Sequence, residues 1–153
     1  MCDLCAARPS ALVSQESDGS FRLSEGASAP DYLAIAKHLY RSRSDANRWR
    51  KEVRPDDQRR VFSVSYQNAW REVEGDLWGA CKDLPQLGAE TRQRLARFPA
   101  PANKGGDEHG YPVSALDPKR SVQHRPPSAV IDAWRTAGVV SDEQAELLRR
   151  GKV

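Results

Sequence analysis

The chain has 153 residues, of which 39% are hydrophobic and 29% charged, and its formal net charge is +3. These values favour one ordinary folded domain and exclude a fully disordered chain. No stretch approaches the roughly 18 apolar residues of a membrane span, and the first residues lack the apolar run of a signal peptide, so we expect a cytoplasmic protein with no membrane contact.

The N-terminal part of the chain predicts a loose arm followed by a first helix. Residues 1–29 contain six serines and little periodicity, and they predict an arm with a short extended piece near Phe21 and Leu23. Apolar side chains then recur at helical spacing, which predicts a helix from about 30 to 42. A second short helix is expected through Asn47, Trp49 and Lys51, and it should stop before Pro55.

The middle of the chain predicts the central core helix. The segment 61–66, VFSVSY, is a weak candidate for a strand. The stronger signal is an apolar stripe at steps of three and four residues, which predicts one long amphipathic helix and consists of Tyr66, Trp70, Val73, Leu77, Cys81 and Leu84. Gly75 and Gly79 would each cost this helix about 1 kcal/mol, so packing would have to hold it. Residues 88–98 predict a further helix, anchored by Leu95 and Phe98.

Residues 99–127 predict a long irregular loop, because they hold six prolines and three glycines. After them, Ser128 is expected to cap a helix that ends at Gly138, and Ser141 with Gln144 predicts a capping box for a second helix. This segment, AWRTAGVVSDEQAELLRR, resembles the short C-terminal helical hairpins appended to many bacterial proteins. The resemblance covers about 25 residues and implies an accessory or oligomerising tail without catalytic residues.

The predicted fold class is therefore mainly α, with a small helical core, a long loop rich in proline and glycine, and a C-terminal helical hairpin. The expected organisation is an arm at 1–29, a core at 30–98, a loop at 99–127 and a hairpin at 128–153.

The cationic residues are concentrated in one segment. Residues 37–60 contain nine basic and four acidic residues, a net charge of +5, so the rest of the chain is slightly acidic. Arginine forks that grip phosphates, with aromatic rings between them, are typical of a nucleic-acid or other anion site. The candidate binding residues, with Tyr40 beside them, are Arg41, Arg43, Arg48, Trp49, Arg50, Lys51, Arg54, Arg59 and Arg60. The alternative is a solvated surface whose arginines pair with nearby carboxylates.

The long loop offers a catalytic alternative. His109 and His124 could serve as acid and base, with Lys104 stabilising a pentavalent phosphorane, as in a metal-independent nuclease or phosphodiesterase. The same histidines, with Asp107, could instead hold a divalent ion. Two exposed loop histidines without a function are the simpler interpretation.

The cysteine pair Cys2 and Cys5 has the spacing of half a zinc site, but no second pair completes it. The third cysteine, Cys81, belongs to the apolar stripe. An odd number of thiols argues for reduced cysteines. We therefore expect no cofactor, with zinc on Cys2, Cys5, His109 and His124 as a minor alternative.

Three functions follow as hypotheses. The first is a small non-enzymatic binding protein of a bacterium or its phage, which uses the basic segment on nucleic acid or on an acidic protein surface. The second is a small nuclease-type effector centred on His109 and His124. The third is an accessory subunit that forms homo-oligomers through its C-terminal hairpin.

Overall fold

The computed structural model describes residues 11–24, 26, 28–43, 47–73, 75–101, 106–116 and 123–153. Within them the chain forms two three-stranded antiparallel sheets and three α-helices. The strands, in chain order, are β1 (Ala11–Gln15), β2 (Phe21–Ser24), β3 (Tyr32–Ala34), β4 (Leu77–Ala80), β5 (Leu95–Phe98) and β6 (Tyr111–Val113). The helices are α1 (Pro55–Gln67), α2 (Ser128–Thr136) and α3 (Asp142–Arg149), and a 3-10 turn spans Ala36–His38. The prediction of a mainly α fold is wrong, because strands replace most of the expected helices.

The first sheet has the order β1-β2-β3 and packs against α1. The side chains packed on α1 are aromatic. The ring centroid of Phe62 on α1 lies 5.4 Å from that of Tyr32 in β3 and 5.5 Å from that of Phe98 in β5, a strand of the second sheet. All three rings are completely or almost completely buried. Burial of such large apolar surfaces is the main stabilising contribution to this half of the molecule.

The second sheet has the order β4-β5-β6 and is covered on both faces. Leu77 and Phe98 belong to the apolar cluster under α1, whereas Trp78 and Leu95 belong to the cluster under α2 and α3. Successive residues of a strand point to opposite faces, so β4 and β5 must be apolar on both. The sheet is therefore the middle layer between α1 and the C-terminal hairpin.

The helix predicted at 30–42 is wrong. Tyr32 and Ala34 are buried on alternate positions of β3, and β3 pairs with β2 in the register Leu23↔Tyr32 and Phe21↔Ala34. The same apolar residues satisfy a period of two and a period near four, and pairing with β2 decides between them. The short helix expected at Trp49 is also wrong, since Trp49 forms an isolated bridge with Gly88.

The long helix predicted from Tyr66 to Leu84 is wrong, and so is the strand at 61–66. The residues 61–66 lie inside α1, which begins at Pro55 and whose Arg54 N–H is capped by the Asp57 carboxylate at 3.1 Å. The helix ends at Gln67 and the chain continues into β4. The strand preference of the β-branched residues in α1 is outweighed by the proline at the first position of the helix and by the packing of the helix.

Gly79 allows β4 to pack closely against α1. A Cβ at this position would lie 2.6 Å from Cγ1 of Val61 and 2.9 Å from Oγ of Ser65, both on α1. Only glycine therefore allows β4 to approach the helix at this distance. An isolated glycine within an apolar run is a signal of such close approach, not of a strained helix.

The helix predicted at 88–98 is wrong as well, although both of its anchors, Leu95 and Phe98, are buried. They are the first and last residues of β5. The loop predicted at 99–127 contains β6, which pairs with β5 in the register Leu95↔Val113. Residues 102–105 and 117–122 of this loop lie outside the described residues.

The capping box predicted for the second helix of the C-terminal hairpin is confirmed. Ser141 and Gln144 form the reciprocal capping box, with distances of 2.9 and 3.1 Å, and Gly138 takes a positive φ of 72° between the helices. The first helix starts after Pro127 without a side-chain cap, so the expected role of Ser128 is not seen. None of the described helices is long and apolar enough to cross a membrane.

Candidate anion-binding cleft

Part of the basic segment lines a cleft of about 530 Å³. Four of its cationic side chains contribute to the wall: Arg41, Arg50, Lys51 and Arg54. We call this feature the cationic cleft. No carboxylate belongs to its wall among the residues that the structure describes. Four positive groups around one concavity raise the local concentration of anions.

The remaining wall of the cationic cleft is apolar and aromatic. Phe21 comes from β2, Leu39 and Tyr40 from the turn after the 3-10 helix, and Val53 from the turn before α1. Tyr40 is 50% exposed, so its ring is accessible to a ligand in the cleft. The cleft therefore combines charged groups with an accessible aromatic surface.

Backbone hydrogen bonds fix the two segments that form the cleft. Trp49 N–H donates to the His38 carbonyl at 2.9 Å, and Arg50 N–H donates to the Leu87 carbonyl at 2.9 Å. Val53 N–H donates to the Arg50 carbonyl at 3.0 Å and closes the turn that presents Lys51. The positions of Arg50 and Lys51 thus depend on backbone hydrogen bonds to the 3-10 turn and to the loop at Leu87.

His38 is a buried residue that directly precedes the cleft residues Leu39 and Tyr40. Its Nδ1 is 2.6 Å from the Asn47 carbonyl oxygen, and its ring stacks on Tyr111 with centroids 5.0 Å apart. A carbonyl oxygen can only accept, so Nδ1 carries the proton. Burial lowers the pKa of His38 to about 4, with a smaller contribution from the charges of Lys37 and His109. The imidazole is therefore neutral at pH 7.

The turn from Arg50 to Val53, here called the basic turn, also contains an acidic residue, Glu52. Its carboxylate accepts a hydrogen bond from Arg50 Nε at 2.8 Å, and this hydrogen bond is the main cause that lowers the pKa of Glu52. Both side chains are well exposed, so solvent screens the pair. The pair orients Arg50 at the rim of the cleft without removing it from solvent.

Other predicted binding residues lie elsewhere. Trp49 is completely buried and its indole N–H donates to the Gly110 carbonyl at 3.3 Å, while Arg59 is 1% exposed. Arg60 pairs with Asp56 at 2.9 Å, and Arg48 donates to the Ser42 carbonyl at 2.7 Å. Arg43 is exposed outside the cleft wall. In this conformation Trp49 and Arg59 support the fold and present no surface to a ligand.

Gln58 was not identified as a site residue from the sequence pattern. This residue lines the cleft, is 1% exposed and lies on α1. The sequence suggested no helix here and a strand that would begin three residues later. Its Nε2 donates to the Val53 carbonyl at 3.2 Å. A helix starting at Pro55 places position 58 on its first turn, so a correct helix assignment would have suggested it.

The histidines of the nuclease hypothesis have different surroundings. His124 is 1% exposed, whereas His109 is partly buried, and burial lowers the pKa of His109. A charge on His109 would make a small contribution to the lowered pKa of His38. Lys104 lies outside the described residues. The nuclease hypothesis stays a prediction, and the depth of His124 does not favour contact with a polymer.

The metal hypothesis is also untested. Cys2 and Cys5 lie outside the described residues. Within the described part of the chain, no three histidine, cysteine or acidic side chains are grouped as metal ligands would be. Cys81 is a buried member of the apolar cluster under α1.

We compared the chain with protein-family models, curated protein sequences and solved structures, and none of them matches it. Its function is therefore inferred from the geometry of the chain itself.

Proposed function

We propose that this chain is a binding protein for single-stranded nucleic acid and that the cationic cleft is its binding site. The observation that carries the proposal is the grouping of four cations around one cleft, with the half-exposed ring of Tyr40 in its wall. Phosphate groups and an unstacked base are the two chemical features that match such a surface.

The aromatic wall favours nucleic acid over an acidic protein surface. Cations alone satisfy carboxylates, but an exposed aromatic ring next to them offers a stacking surface that every nucleobase can use. Arginine forks such as that of Arg41 also suit the paired oxygens of a phosphate. A concave site suits a single strand better, because the bases of a duplex are already stacked and paired.

The proposal concerns binding and includes no reaction. The protein would reside in a reducing compartment such as the cytoplasm, because its odd number of cysteines argues against a disulfide framework. An oligomer formed through the C-terminal hairpin is less favoured, because Trp134 and Leu148 on its apolar face are buried within the chain.

The test is a fluorescence-anisotropy titration of labelled single-stranded RNA and DNA at low salt. The double variant Arg41→Gln/Arg54→Gln removes two cleft cations that form no ion pair with a described residue. We expect it to bind about tenfold more weakly or worse, because charge-assisted contacts are lost.

The matched control is Arg92→Gln/Arg135→Gln, which removes the same charge from exposed positions outside the cleft. Affinity close to that of the wild type is expected. Equal loss in both double variants would show binding to the whole charged surface and contradict the cleft. Binding to poly-glutamate but to no oligonucleotide would favour the acidic-protein partner instead.

A further inference from the structure

A residue that lines the cationic cleft, Gln58, carries a buried hydrogen-bond acceptor without a partner among the described residues. Gln58 belongs to the cleft wall, yet only 1% of it is exposed, so its amide lies below the rim. Its Oε1 is buried and has no hydrogen-bond partner among the described residues. Buried polar atoms are nearly always paired, and an exception requires an explanation.

The amide orientation of Gln58 is determined by its neighbour. The Nε2 group donates to the Val53 carbonyl oxygen at 3.2 Å. Turning the amide over would place Oε1 against this oxygen, and two acceptors repel each other. The site therefore offers a ligand the acceptor Oε1, while one of the two Nε2 hydrogens is committed to the Val53 carbonyl.

We infer that Gln58 Oε1 accepts a hydrogen bond from the exocyclic amino group of a nucleobase that enters the cationic cleft. This inference rests on the function proposed above. Cations at the rim would hold the phosphates, Tyr40 would contact the face of the base, and Gln58 would meet its edge. The ligand class is thus a strand with unpaired bases that carry amino groups, such as cytosine or adenine.

Cytosine and uracil differ in the group that would meet Gln58. Cytosine presents an N4 amino group, which is a donor. Uracil has a carbonyl oxygen at the same position, so it would place a second acceptor against Oε1. A site built around one polar group rejects an analogue that leaves that group unpaired. Cytosine should therefore bind more tightly than uracil.

The experiment measures the affinity of oligocytidylate and oligouridylate of equal length at one salt concentration. The wild type should prefer oligocytidylate by about tenfold, which is the scale of one satisfied buried acceptor. Gln58→Met keeps the length of the side chain and removes the acceptor. We expect it to bind the two oligomers equally, with the affinity for oligouridylate unchanged or improved.

The outcomes separate this inference from the proposed function. If the wild type binds both oligomers equally and Gln58→Met changes nothing, the role of Gln58 is contradicted while binding by the cleft stands. If the wild type binds no oligomer at low salt, the proposed function itself fails.

A folding control accompanies the variant. Circular dichroism and thermal unfolding of Gln58→Met show whether α1 is intact. If Met destabilises the fold, Gln58→Leu tests the same loss of the acceptor. A preference for oligocytidylate that survives in a folded variant without the amide would contradict the inference.

Discussion

His38 shows how one buried side chain can organise the surface in front of it. Its Nδ1–H holds the Asn47 carbonyl and its own carbonyl holds Trp49 N–H, so both contacts close the chain around the basic turn. The 6% exposure of the residue means that a charged imidazole would lose most of its hydration. The neutral form of His38 is therefore the one that the folded structure stabilises.

The lowered pKa of His38 predicts a loss of stability in acid. The pKa falls to about 4 in the folded state from an ordinary value near 6.5, so the unfolded chain binds more protons between these values. Stability should accordingly decrease as the pH falls from about 6.5 towards 4. Between pH 7 and pH 4.5, His38 should account for roughly 2–3 kcal/mol of the free energy of unfolding.

Urea unfolding of the wild type and of His38→Gln at the two pH values measures this contribution. Glutamine keeps a donor for the Asn47 carbonyl and does not titrate. The pH-dependent loss should be smaller in the variant by the amount given above. Identical pH dependence in the two proteins would show that His38 does not titrate in this range.

At the same scale, the anion site stays a prediction, and the structure shows only which of its candidate residues lie together. The arginine-rich composition indicated an anion site, and Arg41, Arg50 and Arg54 do line one cleft. Composition cannot separate them from Arg59, which is buried, because that depends on which face of α1 meets the sheets. Gln58 was missed for the same reason.

At the scale of elements, Gly75 and Gly79 form a natural comparison. A Cβ at Gly79 would be 2.6 Å from Val61, whereas one at Gly75 would be no closer than 3.4 Å to any atom of a neighbouring residue outside the adjacent positions. Gly79 therefore lies in a tight interface between α1 and β4, whereas Gly75 lies in a turn that has room for a methyl group.

Alanine substitutions at these two glycines test the packing. Gly79→Ala should lower the free energy of unfolding by about 1–3 kcal/mol, since the added methyl group overpacks the interface. Gly75→Ala should change it by less than about 0.5 kcal/mol, as surface substitutions usually do. Chemical denaturation measures both. Stabilisation by both substitutions would be the behaviour of a helix and would contradict β4.

The errors at β4 and β5 share one physical cause. Leu77 and Trp78 are adjacent and both buried, because the middle sheet is covered on its two faces. A strand with two buried faces shows no alternation, and its apolar residues fit a helical period by chance. The hairpin caps, by contrast, are local hydrogen bonds between residues three apart, so the sequence predicts the one at Ser141 correctly.

At the scale of the whole molecule, the cationic cleft lies where several elements converge. β2, the turn after β3 and the start of α1 each contribute to its wall, so the cleft exists only in the folded chain. The hairpin covers the opposite face of the second sheet, with the Trp134 and Trp70 rings 6.1 Å apart. No residue of the hairpin lines the cationic cleft in the part of the chain that the structure describes.

The most direct test of the central claim is the salt dependence of binding to a single-stranded oligonucleotide. Four phosphate contacts predict a slope of log K against log salt of roughly −2.8, and Arg41→Gln/Arg54→Gln should reduce it to roughly −1.4. The control Arg92→Gln/Arg135→Gln should keep the slope of the wild type. A slope near zero for the wild type, or the same reduction in both double variants, would contradict a binding site in the cationic cleft.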